Sequence, residues 1–165
     1  MGEYQHIVHT FEPVFDEHSK ILILGSLPSV RSREQGFYYG HPQNRFWKVL
    51  AALTQKPVPQ SINDKKEFLL AAHIAVWDVI SECDIIGSSD ASIKNVVPTD
   101  IQRVLDGCDI KAVFANGSTA AKLYDKYQKP LTDREINTLP STSPANAAYS
   151  LERLLQSWKC LLGYL

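Results

Sequence analysis

The sequence of 165 residues is poor in cysteine, in long apolar runs and in excess charge of either sign. Its three cysteines, Cys83, Cys108 and Cys160, lie far apart and are odd in number, which is typical of reduced thiols and not of a disulfide framework. Their spacing also argues against a four-cysteine iron–sulfur cluster or a zinc site. We therefore expect no metal and no cofactor.

The other two absences exclude further classes of protein. No apolar run approaches the length that spans a bilayer, and the N-terminal segment lacks the basic start and apolar core of a secretory signal. The formal net charge is −1, so the composition lacks the basic bias of a strong non-specific nucleic-acid binder. The length suits one domain, and we expect residues 1–165 to form it.

Short apolar runs alternate with amphipathic segments along the chain. Four runs predict buried strands: 21–25, 74–80, 111–117 and 135–141. Five segments predict helices: 44–53, 63–72, 99–107, 118–128 and a last helix that carries residues 151–162. This alternation predicts a three-layer α/β/α sandwich with a mainly parallel four-stranded sheet.

The remaining segments carry weaker signals. Residues 1–20 and the polar stretch 81–98 show no clear periodicity, and residues 26–43 form a long connection of the kind that is usually functional. Asn63 and Thr99 are the expected N-caps of their helices. In an open parallel sheet, ligands bind where the strands end, so the segments after Gly25, Asp78, Asn116 and Leu139 are the candidate site.

Two of these segments carry long motifs. The first motif begins with "GSLP" at residues 25–28 and ends with "FYYGHPQNRFWKVL" at residues 37–50. The second motif is "LPSTSPANA" at residues 139–147. Together they resemble the two signature motifs of the uracil-DNA glycosylase superfamily. The most similar branch is that of hypoxanthine and mismatch-type DNA glycosylases. Motif order, strand–loop–helix context and chain length agree with this resemblance.

The resemblance implies roles for residues of the first motif. Gly25, Ser26 and Leu27 match the turn that contacts the extruded base, although many members have a catalytic Asp or Asn at the position of Leu27. Tyr39 falls where the family stacks an aromatic ring on that base, and its alternative role is to anchor the loop on the core. His41 follows as a base-binding candidate, or as a structural residue that bonds backbone in the tight loop. The main catalytic candidate is Asn44, which matches the working asparagine of the hypoxanthine-type branch and whose amide can hold a water molecule by both its donor and its acceptor. Its alternative role is to cap the helix that follows.

Asp78 and the second motif complete the candidate site. Asp78 ends a strand where the family often has a base-reading Asn; it is the auxiliary catalytic candidate, or a loop-capping aspartate. The second motif matches the loop that grips DNA, with Leu139 in place of a histidine found in some branches. Its hydroxyl residues, just before the last helix, are expected to bind phosphate or to make ordinary turn hydrogen bonds: Ser141, Thr142 and Ser143. The residues that follow are expected to enter the minor groove: Pro144, Ala145 and Asn146. Three arginines are candidates for a local basic patch: Arg31, Arg33 and Arg45.

The resemblance implies a monofunctional DNA glycosylase of base excision repair. Such an enzyme flips a deaminated base, hypoxanthine or uracil, out of damaged or mismatched double-stranded DNA and hydrolyses its N-glycosidic bond. We expect a cytoplasmic monomer, associated with the nucleoid in a prokaryote. Two alternatives stay open: a hydrolase of free nucleosides or nucleotides, and a lesion-binding module without catalysis, which Leu27 and Leu139 would suit.

Overall fold

The computed structural model describes residues 2–9 and 11–165. Its strands are β1 (Gln5–Val8), β2 (Ile21–Gly25), β3 (Ile74–Asp78), β4 (Ile80–Ile85), β5 (Lys94–Pro98), β6 (Ala112–Asn116) and β7 (Ile136–Leu139). Its α-helices are α1 (Val30–Gln35), α2 (Phe46–Thr54), α3 (Ile62–Ala71), α4 (Gln102–Gly107), α5 (Ser118–Tyr127), α6 (Lys129–Thr132) and α7 (Leu151–Trp158). Short 3₁₀ helices lie at Asp90–Ser92 and Lys159–Tyr164.

The central sheet has the strand order β3-β2-β6-β7, and every neighbouring pair is parallel. Both β2 and β3 are buried along their whole length, which explains their continuous apolar sequences. The connections β2–α2–α3–β3 and β6–α5–β7 run in opposite directions along the sheet, so the right-handed crossover rule places α2 and α3 on one face and α5 on the other. Helix α7 packs against α2. The predicted three-layer fold is confirmed. In the part of the chain described, no helix has the length and apolar content to cross a bilayer.

The sheet register brings the candidate residues to one edge. Gly25 lies beside Asp78, and Asn116 lies beside Leu139. Because β2 also pairs in register with β6, the ends of all four strands form one row. The connections that leave β2 and β6 run to opposite faces, so a crevice opens between them, as at other topological switch points.

A second, antiparallel sheet of order β1-β4-β5 was not predicted. Its strands fall in segments 1–20 and 81–98, and β1 and β5 are too exposed and polar to show a strand pattern. The chain enters this sheet directly after β3, so the predicted strand 74–80 is split at Val79. Leu27 packs on the small core of this sheet, which contains Ile80, Cys83 and Ile85.

Three local predictions were wrong. The connection 26–43 contains α1, which begins after the capping side chain of Ser29 and ends at Gly36 with a φ of 78°. The cap of α3 is Ser61 rather than Asn63, because the helix begins one residue earlier than predicted. Thr99 caps no helix; its hydroxyl donates to the main-chain oxygen of Asp78 at 2.6 Å and thereby braces the end of β3.

We predict that His6 makes the stability of the small sheet depend on pH. His6 on β1 contacts Asp84 at 2.9 Å and Glu82 at 3.2 Å, and these hydrogen bonds raise its pKa above the ordinary value of 6.5. A raised pKa means that the contribution is complete below pH 6.5 and disappears as the pH rises through the folded-state value. His6→Gln should therefore lower the melting temperature at acidic pH and have little effect at alkaline pH.

The measurement is the melting temperature of parent and variant at several pH values and at low salt, since salt screens exposed pairs. His18→Gln, in a turn outside both sheets, controls for the loss of an exposed histidine. A difference between parent and His6→Gln that is the same at every pH would contradict the prediction.

Candidate active site

A cleft of about 870 Å³ opens at the carboxyl edge of the central sheet. It is lined by most of the residues that the two motifs nominate: Gly25, Ser26, Leu27, Tyr39, Asn44, Asp78, Ser141, Thr142, Ser143, Ala145 and Asn146. Two nominated residues, His41 and Pro144, do not line it. The loop after β2, the loop after β7 and the start of α5 together form its walls.

The consecutive aromatic residues before α2 have different surroundings. Phe37 is buried and stacks on Trp47 with ring centroids 6.2 Å apart. Tyr38 is also buried, and its hydroxyl donates to the main-chain oxygen of Glu12 at 2.9 Å. These two rings anchor the loop to the core and leave Tyr39 at the cleft.

Tyr39 is held in an unusual conformation. Its φ of 53° lies in the left-handed region, and one face of its ring stacks on Phe46 with centroids 3.9 Å apart. Only the other face remains for a ligand. Its hydroxyl is buried and has no hydrogen-bond partner in the described chain. Burial raises the pKa of this phenol well above its usual value, and the nearby Asp78 carboxylate adds to the effect.

Gly25 allows Asp78 and Tyr39 to approach each other. A Cβ atom at this position would lie 2.4 Å from Asp78 Oδ1 and 3.0 Å from the Tyr39 hydroxyl. The glycine of the first motif is therefore required by close packing of the two polar groups at the floor of the cleft.

Asp78 is a buried carboxylate with its two oxygens in different environments. Oδ2 lies 2.7 Å from His9 Nε2, and the side chain is only 4% exposed. Among the described residues, none donates a hydrogen bond to Oδ1, and Asp78 is one of the residues that line the cleft. Asp78 can therefore accept a hydrogen bond from a ligand or a water molecule there.

Asn44 has the reverse arrangement. Its Oδ1 accepts from the main-chain nitrogen of Phe46 at 3.0 Å and from the Thr142 hydroxyl at 2.8 Å. Both acceptor positions are thus occupied, while Nδ2 has no partner within the described residues. Asn44 helps to begin α2 and offers only a donor to the cleft, so the expectation that its amide holds water by both groups is corrected.

Thr142 and Asn116 fix the orientation of Asn44. Thr142 is fully buried; its hydroxyl accepts from Asn116 Nδ2 at 3.0 Å and donates to Asn44. The main-chain nitrogen of Thr142 donates to Asn116 Oδ1 at 3.0 Å. Because every group in this network has a defined direction, neither amide can rotate freely. The expected phosphate contact of Thr142 is corrected, since its side chain serves this network.

Arg45 joins the same two loops. Its guanidinium donates to the main-chain oxygens of Ser143 at 3.0 Å and Asn146 at 3.1 Å, and also to that of Tyr149. These oxygens belong to two consecutive turns, 143–146 and 146–149. Arg45 therefore holds the second motif in shape and is not a free phosphate ligand, contrary to the expected patch.

The loop 141–146 differs from expectation in one more respect. Its residues do not immediately precede a helix, because α7 begins only at Leu151. The hydroxyl oxygens of Ser141 and Ser143 accept hydrogen bonds from main-chain nitrogens within the loop. Asn146 Nδ2 donates to the main-chain oxygen of Ser141. The hydroxyl protons of the two serines remain available, and the tip of the first turn consists of Pro144 and Ala145. These geometries support a rigid turn that is exposed at Ala145.

His41 is placed away from the cleft. Its Nδ1 accepts from the main-chain nitrogen of Gln43 at 3.0 Å, and its own oxygen accepts from Asn44 at 2.9 Å. Of the two expectations for His41, the structure agrees with hydrogen bonding to main chain in the turn before α2 and not with a base contact. Sequence reasoning missed His9 and gave Asn116 no role. His9 lies in a segment without periodicity, whereas Asn116 ends a predicted strand and could have been found from that position.

We predict that Thr142→Val destabilises the fold and loosens Asn44. Valine removes the hydroxyl, which leaves Asn116 Nδ2 without an acceptor at a cost of about 1–3 kcal/mol. Urea denaturation would measure the free energy of unfolding, and the side-chain amide signals of Asn44 would report its mobility. Thr142→Ser, which keeps the hydroxyl, is the matched control. Equal stability of the valine variant and the parent would show that the network contributes nothing net.

Several known proteins are similar to this chain in sequence and in fold. A model of the uracil DNA glycosylase superfamily matches residues 12–161. A hypoxanthine DNA glycosylase from Methanosarcina barkeri is 34% identical over 90% of this chain and 93% of its own length. A second, from Methanosarcina acetivorans, is 32% identical over 87% and 90% respectively.

The structural comparison agrees. The solution NMR structure of a proposed uracil DNA glycosylase from Methanosarcina acetivorans matches with a TM-score of 0.77 at 28% identity, covering 93% of this chain and 98% of that one. Both signature motifs lie within the matched residues, and both border the cleft. The chain belongs to the uracil DNA glycosylase superfamily.

Proposed function

We propose that the protein is a monofunctional DNA glycosylase that hydrolyses the N-glycosidic bond of deaminated bases, with hypoxanthine as the first candidate and uracil as the second. One observation carries this proposal: an unpaired donor on Asn44 and an unpaired acceptor on Asp78 face the same cleft, beside the aromatic ring of Tyr39. The similarity to two hypoxanthine DNA glycosylases supports the choice of first substrate.

Asn44 and Asp78 together replace the polar group that Leu27 lacks. A water molecule that accepts from Asn44 Nδ2 and donates to Asp78 Oδ1 has a lone pair free for C1′ of the flipped nucleotide. Its oxygen forms the new bond to C1′, and the bond to the base breaks with its electron pair leaving on the base. The water proton passes to Asp78 and then to solvent, and the base is protonated by solvent. The anionic carboxylate also stabilises the cationic sugar.

The surroundings of the second motif support DNA as the substrate. The turn tip of Pro144 and Ala145 can press between bases, and the free hydroxyl protons of Ser141 and Ser143 can donate to phosphate oxygens. Because Arg45 is hydrogen-bonded within the protein and the net charge is −1, these neutral contacts supply much of the affinity for DNA. We propose a monomer bound to double-stranded DNA at a damaged or mismatched base.

The test is incubation with duplexes that carry a single deoxyinosine or deoxyuridine, followed by alkaline cleavage of abasic sites. We expect strand scission at the lesion and none in undamaged duplex. Release of hypoxanthine from free inosine but not from the duplex would favour a nucleoside hydrolase. Tight lesion binding without base release would favour a binding module.

We predict that Asn44→Ala loses about 10²- to 10³-fold in the single-turnover rate of base release, the usual cost of one pre-organised polar contact. Binding of the deoxyinosine duplex should be largely kept, because Tyr39 and the loop 141–146 remain. Asp78→Asn should lose less, since the amide oxygen can still accept a hydrogen bond from the water, although it neither takes the proton nor carries the negative charge. Rates are compared among variants of equal thermal stability.

Two outcomes would overturn these assignments. If Asn44→Ala stays within about threefold of the parent while Asp78→Asn is inactive, the carboxylate alone carries the chemical step. If both variants are near normal, the reaction occurs elsewhere on the protein.

We also predict that Gly25→Ala reduces base release by about 10²-fold, the scale of effect expected when a functional group moves by about 1 Å. The added Cβ would displace Asp78 or Tyr39, because it would lie 2.4 Å and 3.0 Å from them. Gly163→Ala is the control, since no atom lies within 4 Å of the added Cβ there. An active Gly25→Ala variant would show that the floor of the cleft is not used.

A further inference from the structure

His9 and Asp78 form a buried pair that the two motifs do not account for. His9 Nε2 lies 2.7 Å from Asp78 Oδ2, and the side chains are 1% and 4% exposed. His9 also lies before residue 12, where the match to the superfamily begins. His9 itself does not line the cleft and reaches it only through Asp78.

The surroundings of His9 define which ring nitrogen carries the proton. The main-chain nitrogen of Phe11 donates to His9 Nδ1 at 3.1 Å, so Nδ1 presents a lone pair. The ring proton is then on Nε2 and points at Asp78. The ring of Phe11 packs edge-on at 5.3 Å, and Tyr38 lies 6.0 Å away, so the imidazole has little room to turn.

The main chain delivers His9 to this place. Strand β1 pairs with β4, and the main-chain nitrogen of His9 extends the ladder by donating to the oxygen of Ser81 at 2.7 Å. Asp78 is fixed from its own side by the end of β3 and by the Thr99 hydroxyl. Each partner is thus held by a different sheet.

We propose that His9 is a positioning residue for Asp78. Its Nε2–H holds Oδ2 of the buried carboxylate and turns it away from the cleft, so that Oδ1 is presented to the water and the sugar. The proposal rests on the proposed function for its catalytic consequence, but the tautomer and the contact can be observed independently of activity. A neutral, oriented imidazole that holds a carboxylate is a general way to fix the role of a reacting group.

Three variants separate orientation from simple filling of space. His9→Phe keeps a ring of similar size but has no donor. His9→Gln places an amide N–H near the position of Nε2, and His9→Asn is too short to reach Asp78. We expect His9→Phe and His9→Asn to lose about 10- to 100-fold in single-turnover base release, the range seen when an orienting partner is removed. His9→Gln should return to within about fivefold of the parent.

Two further readouts exclude a structural effect. Affinity for the deoxyinosine duplex should stay within about threefold in all variants, because the His9 side chain is only 1% exposed and does not line the cleft. In an Asp78→Asn background, His9→Phe should add little further loss, since its effect passes through Asp78. If His9→Phe is as fast as the parent, if His9→Gln is as slow as His9→Phe, or if the losses multiply, the proposal is wrong.

Imidazole ¹⁵N NMR tests the contact even if no base is released. We expect the neutral Nε2–H tautomer of His9 in the parent protein, with a changed Nε2 signal in Asp78→Asn. A protein with this tautomer but no glycosylase activity would retain the His9–Asp78 pairing and refute the proposed function. The Nδ1–H tautomer would refute the pairing, whether or not the protein is active.

Discussion

The site depends on the hydrogen bonds that join the loop before α2 to the loop after β7, and this contact between the two loops is called the seam. Asn44 and Arg45 are adjacent in sequence, and both are fixed by hydrogen bonds to residues of the second motif, which for Thr142 and Asn44 lie 98 positions apart. Hydrogen bonds to a charged guanidinium are stronger than neutral ones, so the three carbonyls at Arg45 hold the turns firmly. The same seam aligns the Asn44 donor with the cleft.

The aromatic residues of the first motif serve this seam more than they serve the ligand. Phe37 and Tyr38 are core residues that fix the loop, and Phe46 supports the ring of Tyr39 from behind. This division explains why the chain places three aromatics in succession where one would suffice for stacking. The positive φ of Tyr39 is tolerated because its neighbours on both sides are anchored.

The sequence predicts the central sheet well because its signal is local. Residues 21–25 and 74–78 are apolar on both faces, and parallel register then aligns Gly25 with Asp78 without further information. The small sheet was missed because β1 and β5 are short, exposed and polar. Side-chain contacts could not be predicted from the sequence either. The residues next to Arg45 do not indicate that its guanidinium donates to main-chain oxygens of the second motif. His9 and Asp78 are distant in sequence and come together only in the folded protein.

The exposed strand β1 has a consequence for how the protein loses function. Exposed edge strands such as β1 open by local fluctuation at a much lower free energy than the whole fold. Opening of β1 would withdraw His9 from Asp78 while the central sheet stays intact. Activity would then be lost at a lower temperature than the melting temperature. Amide exchange in β1 would rise together with the loss of activity and not with global unfolding. The N-terminal segment would behave as a separate cooperative unit that sets the working temperature range of the site.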